Sequence, residues 1–146
     1  MRGLRGNIAL DSSVLIEYLT GTKTGGILRG YFETLKPEEK VSCSLLTISE
    51  VFYVLCRLRG ARFAEEKIND MLASRVLDIY GSTEVAVRAG KIKCERNISL
   101  ADCSCIAVAE MTNAKAVFAE REKELVKEME KKPFNVEIIF LRDIEK

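Results

Sequence analysis

Short apolar runs of strand length alternate with longer stretches of helical periodicity along nearly the whole chain. No other feature of the sequence limits the fold as much. "NIAL" predicts a first strand, followed by a helix from about Ser12 to Leu19. "GTKTGG" reads as a loop, and "ILRGYFETL" as a second helix stopped near Pro37. "KVSC" predicts a second strand. In "SEVFYVLCRLRG" the apolar positions 48, 51, 52 and 55 follow the i, i+3, i+4, i+7 pattern, and Gly60 ends that helix. "AEEKINDMLAS" is a further helix, "RVLDIY" a third strand and "TEVAVRAGKIKCERN" a helix. "LADCSCIAVAEMTN" is small and apolar nearly all round, which predicts a buried helix. "KAVFA" is a fourth strand, "EREKELVKEMEKK" a charge-laced helix stopped by Pro133, and "NVEIIFL" a fifth strand. Strands alternating with helices predict an α/β domain spanning residues 1–146, with a mainly parallel five-stranded sheet.

Composition narrows the chemistry. The 146 residues carry 23 basic against 22 acidic side chains, so bulk charge draws the chain to neither nucleic acid nor membrane. No apolar stretch reaches the ~18 residues that span a bilayer. The apolar run before Asp11 is too short for a signal-peptide core, so a soluble, cytoplasmic protein is expected. Five cysteines, an odd count, argue against a disulfide scaffold, and Cys103-x-Cys105 lacks the usual zinc spacing. Histidine is absent. That removes Ser-His-Asp and Cys-His nucleophiles, His-ligated zinc and His general bases. Any catalysis must come from carboxylates, lysines, hydroxyls or thiols.

In open parallel sheets, ligands bind outside the carboxyl ends of the strands. Carboxylates gather at those positions. Asp11 follows the first strand directly, and Glu50 is expected in the first turn of the helix after the second strand. Asp102 opens the buried helix, and Glu122 follows the fourth strand with Glu120 and Glu124 beside it. Each also has a simpler reading. Asp11 is a good N-cap, Thr47-x-x-Glu50 and Ser99-x-x-Asp102 resemble capping boxes, and first-turn glutamates are common on solvated helices. A charge at the head of a buried helix is costly unless paired or metal-bound. Convergence of four acids on one sheet edge therefore points to a hard divalent cation, Mg²⁺ or Mn²⁺.

"IALDSSVLIEYL", "SLLTISEVFYVL", "ISLADCSCIAVAE" and "AVFAEREKEL", in that order, resemble the PIN-domain ribonucleases, in particular the VapC-like toxins of prokaryotic toxin–antitoxin pairs. The resemblance runs from the first strand to the fifth and implies a three-layer α/β/α PIN-like fold. It implies that Asp11, Glu50, Asp102 and Glu122 are the catalytic acids, that Asp11, Asp102 and Glu122 hold the metal, and that Ser13 supports Asp11. The stretch around Glu122 departs from the family's usual T-x-D-x-D-F. Glu120, Glu122 and Glu124 stand for the threonine and two aspartates, and Leu125 for the aromatic. Which of the three glutamates completes the site is left open.

The activity implied is metal-dependent hydrolysis of RNA phosphodiesters, with Glu50 orienting or deprotonating water. Arg57, Arg59 and Arg62 at one helix end, and Arg88, Lys91, Lys93 and Arg96 along another, are candidate RNA contacts; equally they are solvated faces paired with Glu84 and Glu95. The family implies a homodimer and a cognate antitoxin. Ile27, Leu28, Tyr31, Phe32, Phe52 and Phe63 are candidate apolar surface for them, unless they are core. A non-catalytic PIN-like scaffold and a housekeeping RNA-processing nuclease are the alternatives. A D-x-D phosphatase is disfavoured by Ser13 at the second position.

Overall fold

The computed structural model describes residues 3–145. Its five strands are β1 (Ile8–Leu10), β2 (Val41–Ser44), β3 (Leu77–Tyr80), β4 (Lys115–Phe118) and β5 (Ile138–Phe140). They form one sheet in the order β3-β2-β1-β4-β5, and every pairing is parallel. Ile8 pairs with Val41 on one side and with Lys115 on the other. The chain winds outward from β1 through β2 to β3, then returns to place β4 on β1's other side. The strand order thus reverses between β1 and β4, which opens a crevice beyond their carboxyl ends.

Eight helices are present among the described residues: α1 (Ser12–Leu19), α2 (Gly25–Glu33), α3 (Leu45–Arg59), α4 (Ala61–Ala73), α5 (Thr83–Glu95), α6 (Leu100–Thr112), α7 (Lys123–Lys131) and a single turn, α8 (Leu141–Ile144). Side chains alternate across the sheet with period two. Ile8, Leu10 and Val117 join Val14, Leu15, Leu28, Val51 and Leu55 in one core. Ala9, Ala116 and Phe118 join Ile106, Val108 and Leu125 in the other. Two cores on two faces make the three-layer α/β/α sandwich that the resemblance implied. Ala9 and Ala116 are small, so α6 lies close to the sheet; the Cys105 thiol reaches the Ala9 carbonyl at 3.6 Å. All five cysteines are free.

Two junctions set the site. Asp11 is both the residue after β1 and the N-cap of α1, and Ser44 ends β2 and caps α3. With no loop between strand and helix, a polar side chain at either junction stands on the lip of the sheet. The Ser44 cap overturns the capping box expected at Thr47. The helix begins at Leu45, so the Thr47 N–H donates to Ser44 Oγ at 3.2 Å and Glu50 falls in the second turn. The serine at the strand end outcompetes Thr47 because its backbone is already extended (φ −87°, ψ 157°), as an N-cap requires.

The loop at 21–26 is shorter than expected, because α2 starts at Gly25. A Cβ on Gly25 would stand 2.3 Å from the Glu17 carbonyl oxygen, so only glycine permits this approach of α2 to α1. "NVEIIFL" forms strand only over Ile138–Phe140, after which the chain turns into α8. The apolar surface candidates are corrected in part. Leu28 and Tyr31 are core, and Ile27, Phe32, Phe52 and Phe63 pack against it. The exposed large apolar side chains include Leu45, Leu46, Tyr53, Leu58, Val87 and Leu100 instead. No helix of the described residues is long and apolar enough to cross a membrane.

Candidate active site

The switch-point crevice gathers three carboxylates from three elements. Asp11 comes from the end of β1, Asp102 from the first turn of α6, and Glu122 from the N-cap of α7. One oxygen from each lies within 4.8 Å of the others. Asp11 and Asp102 are buried, whereas Glu122 is exposed at the mouth. Each stands at a helix N-terminus, whose partial positive charge favours an anion. The Glu122 side chain makes no capping hydrogen bond to its own helix.

Asp11 caps α1 and also lines the crevice with the other two acids. Its Oδ2 accepts from the Ser13 N–H at 3.1 Å and from Ser13 Oγ at 2.7 Å. Ser13 Oγ in turn accepts from the Ala119 N–H at 3.1 Å, tying α1 to the end of β4. Both bonds converge on one oxygen, which leaves Oδ1 free of them. Asp102 is anchored from behind, where its N–H donates to the N-cap Ser99 Oγ at 3.1 Å.

The electrostatics are those of anions held together at a cost. Burial, opposed by the Ser13 hydrogen bonds and reinforced by Glu50 and Glu122, pushes the Asp11 carboxyl up to about 6. Burial, followed by the charges of Asp11 and Glu122, pushes Asp102 up to about 8, and a hydrogen-bond contact with Glu122 favours its protonated form. Both shifts favour the protonated carboxyl, so the cluster carries negative charge at a cost that a cation would offset. Hard oxygen donors, close spacing and unneutralised charge together fit a divalent cation.

Glu50 belongs to the site without joining the trio. Its charge is felt at Asp11, and its Oε1 accepts from Ser12 Oγ at 2.6 Å. The neighbouring glutamates separate by contact. Glu120 Oε1 accepts from the Arg142 guanidinium at 2.6 Å, and Glu124 faces a different surface hollow with Asn97 and Lys127. Of the three, Glu122 alone is in the cluster.

Most of the cations read from the sequence are engaged by rings, carboxylates or carbonyls. Arg57 and Arg59, about two turns or more along α3 from Glu50, lie over the rings of Tyr53 and Phe63, each at 5.0 Å. Arg62 pairs with Glu66 at 3.6 Å. Lys91 is exposed in a hollow that also holds Glu84, Glu95 and Glu110, so its surroundings are acidic. Arg88 pairs with Glu84 and Glu110, and Lys93 donates to the Ile98 carbonyl at 2.7 Å. Arg96 is structural: it donates to the carbonyls of Glu128, Lys132 and Pro133 and lies 3.9 Å from the Phe134 ring. Arg142, which the sequence reading did not single out, bridges Glu120 and Glu17. Its distance in sequence from the acids hid it. Ser12 was overlooked too, although its place beside Asp11 was a usable signal.

A parallel α/β sheet with clustered carboxylates at its switch point defines an acidic-site α/β domain. The sequence matches the PIN domain family over residues 8–129, and the chain belongs to that family. No curated protein matches the sequence. Solved structures do resemble it. VapBC-1 from nontypeable Haemophilus influenzae aligns with TM-score 0.65 at 18% identity, covering 93% of this chain and 98% of the other. VapC20 from Mycobacterium tuberculosis, a toxin that cleaves the sarcin–ricin loop, aligns with TM-score 0.64 at 16% identity over 84% and 94%. VapBC2 from Rickettsia felis, bound to promoter DNA, aligns with TM-score 0.64 at 15% identity over 90% and 96%. At these identities the likeness is one of fold.

Proposed function

We propose that this chain is a divalent-metal-dependent ribonuclease that hydrolyses RNA phosphodiester bonds, acting as the toxin of a type II toxin–antitoxin pair in the cytoplasm. The observation that carries the reading is the meeting of Asp11, Asp102 and Glu122 within 4.8 Å in the switch-point crevice. The departure from T-x-D-x-D-F weighed for a non-catalytic scaffold. It loses that weight because the longer Glu122 side chain reaches the two aspartates from the mouth.

In this reading Asp11 and Asp102 hold one Mg²⁺ or Mn²⁺, and Glu122 closes the ring. Such an ion lowers the pKa of a bound water, aligns the phosphate and neutralises developing charge. Ser13 fixes Asp11 Oδ2 and so leaves Oδ1 for the ion. Glu50, close enough to perturb Asp11 but outside the trio, accepts the proton of the attacking water. The scheme uses no histidine and no covalent nucleophile, as the composition requires.

The partners that go with it are an RNA substrate, a cognate antitoxin and a second copy of the chain. Leu45, Leu46 and Leu100, exposed around one apolar hollow of about 220 Å³, support a protein partner. The test is cleavage of a fluorescent single-stranded RNA pool with Mg²⁺ or Mn²⁺, beside Asp11→Asn and an EDTA control. Metal-dependent cleavage that the variant loses supports the reading. No cleavage, together with no Mn²⁺ binding by calorimetry, returns the chain to the scaffold alternative.

A further inference from the structure

Ser12 and Ser13 are adjacent on α1, and successive helical residues point about 100° apart. Their hydroxyls therefore serve different partners. Ser13 Oγ donates to Asp11 at 2.7 Å, while Ser12 Oγ donates across the sheet lip to Glu50 Oε1 at 2.6 Å. Ser12 is only 5% exposed, so little water competes for this bond. Among the described residues the Glu50 carboxylate makes no other hydrogen bond. A glutamate in the second turn of a helix has three rotatable side-chain bonds, and fixing it costs rotamer entropy when nothing holds it. Here one buried hydroxyl holds it by one oxygen.

We propose that Ser12 is the positioning residue for Glu50: by pinning Oε1 it presents Oε2 toward the water that attacks the phosphodiester. This rests on the nuclease reading above. The tandem serine then acts as a divider. Ser13 steadies the metal-holding acid and Ser12 the proton-accepting acid, and one helix start sets the spacing between the two roles.

The test is a double-mutant cycle at residues 12 and 50, read in two ways. In single-turnover and steady-state cleavage of a single-stranded RNA with Mn²⁺, Ser12→Ala lowers kcat about 10–100-fold, as loss of a supporting contact typically does. Its KM and its Mn²⁺ affinity by calorimetry stay at the wild-type values, because neither RNA nor metal touches Ser12. Ser12→Thr, which keeps the hydroxyl, restores kcat. Ser12→Ala combined with Glu50→Gln is no slower than Glu50→Gln alone. Urea unfolding of the same proteins in EDTA, with neither metal nor RNA, shows coupling between the two positions. Wild-type kcat in Ser12→Ala beside a slow Glu50→Gln overturns the positioning role and leaves the nuclease reading standing. A raised KM, weakened Mn²⁺ binding or failure of Ser12→Thr also overturns it. A wild-type protein that cleaves no RNA overturns both.

Discussion

Removing the charge of Asp11 is expected to strengthen the metal-free fold while abolishing function. The perturbation is Asp11→Asn. Asparagine caps a helix as well as aspartate does. Because both Ser13 bonds fall on one oxygen, the single amide oxygen preserves them. What the variant removes is a buried negative charge. The Asp11 carboxyl, ordinarily near 3.8, is pushed up to about 6, chiefly by burial. A folded-state pKa above the unfolded one means that the protonated group favours the fold. That support is complete below about pH 3.8 and is lost as pH rises through about 6. At pH 7.5 the ionised carboxylate costs about 3 kcal/mol. A chain of this length unfolds with an entropy of roughly 0.3 kcal/mol/K, so the cost corresponds to about 10 °C in Tm. The assay is calorimetric melting in EDTA of wild type and variant at pH 7.5 and pH 4. The variant should melt about 10 °C higher at pH 7.5 and only about 2 °C higher at pH 4, where most Asp11 carboxyls are protonated in the fold. Losing the Asp11 charge also eases the ionisation of Asp102, which adds to the gain at pH 7.5; acids outside the cluster titrate alike in both proteins and cancel in the difference. A variant that melts at or below wild type at pH 7.5, or a gap equal at the two pH values, would refute the reasoning.

The cation should reverse this order. Saturating Mn²⁺ raises the wild-type Tm, by about 2.7 kcal/mol of stability at one hundred times Kd, and leaves Asp102→Asn unmoved, as differential scanning fluorimetry will report. Gly25→Ala places a Cβ against the Glu17 backbone, so urea unfolding should show a loss on the order of 2 kcal/mol or more. Arg96→Ala strips three carbonyl hydrogen bonds and a ring contact from the end of α7. Its Tm should fall on the order of 10 °C, and Arg96→Lys, lacking the planar fork, should recover little of it.

The alternation of strand and helix was legible because buried parallel strands read as short apolar runs, while their helices are longer and most carry one polar face. "KAVFA" and the all-round apolar α6 needed no tertiary information. Helix starts were less legible. Ser44, Thr47 and Ser49 can each cap a helix, and the choice depends on where β2 ends, which its pairing with β3 and β1 decides. Asp11 and Asp102 were readable as candidate-site acids, since each is a costly charge at the edge of an apolar element. Glu122 could not be told from Glu120 and Glu124 by sequence. Arg142, brought in by β5 and α8, occupies Glu120, while the direction of α7 turns Glu124 away.

By itself, then, the sequence determined the alternation of strands and helices with its mainly parallel sheet, the exclusion of histidine chemistry, and the set of acids that could meet. These follow from local periodicity and residue type, which each segment carries alone. The tertiary structure alone decided the strand order, and with it the crevice between β1 and β4 where Asp11, Asp102 and Glu122 converge. It also decided that Ser12 faces Glu50 and that the arginines of α3 and α5 serve rings, carboxylates and carbonyls rather than the acidic site. Those outcomes depend on contacts between residues tens of positions apart, and local periodicity carries no record of such contacts.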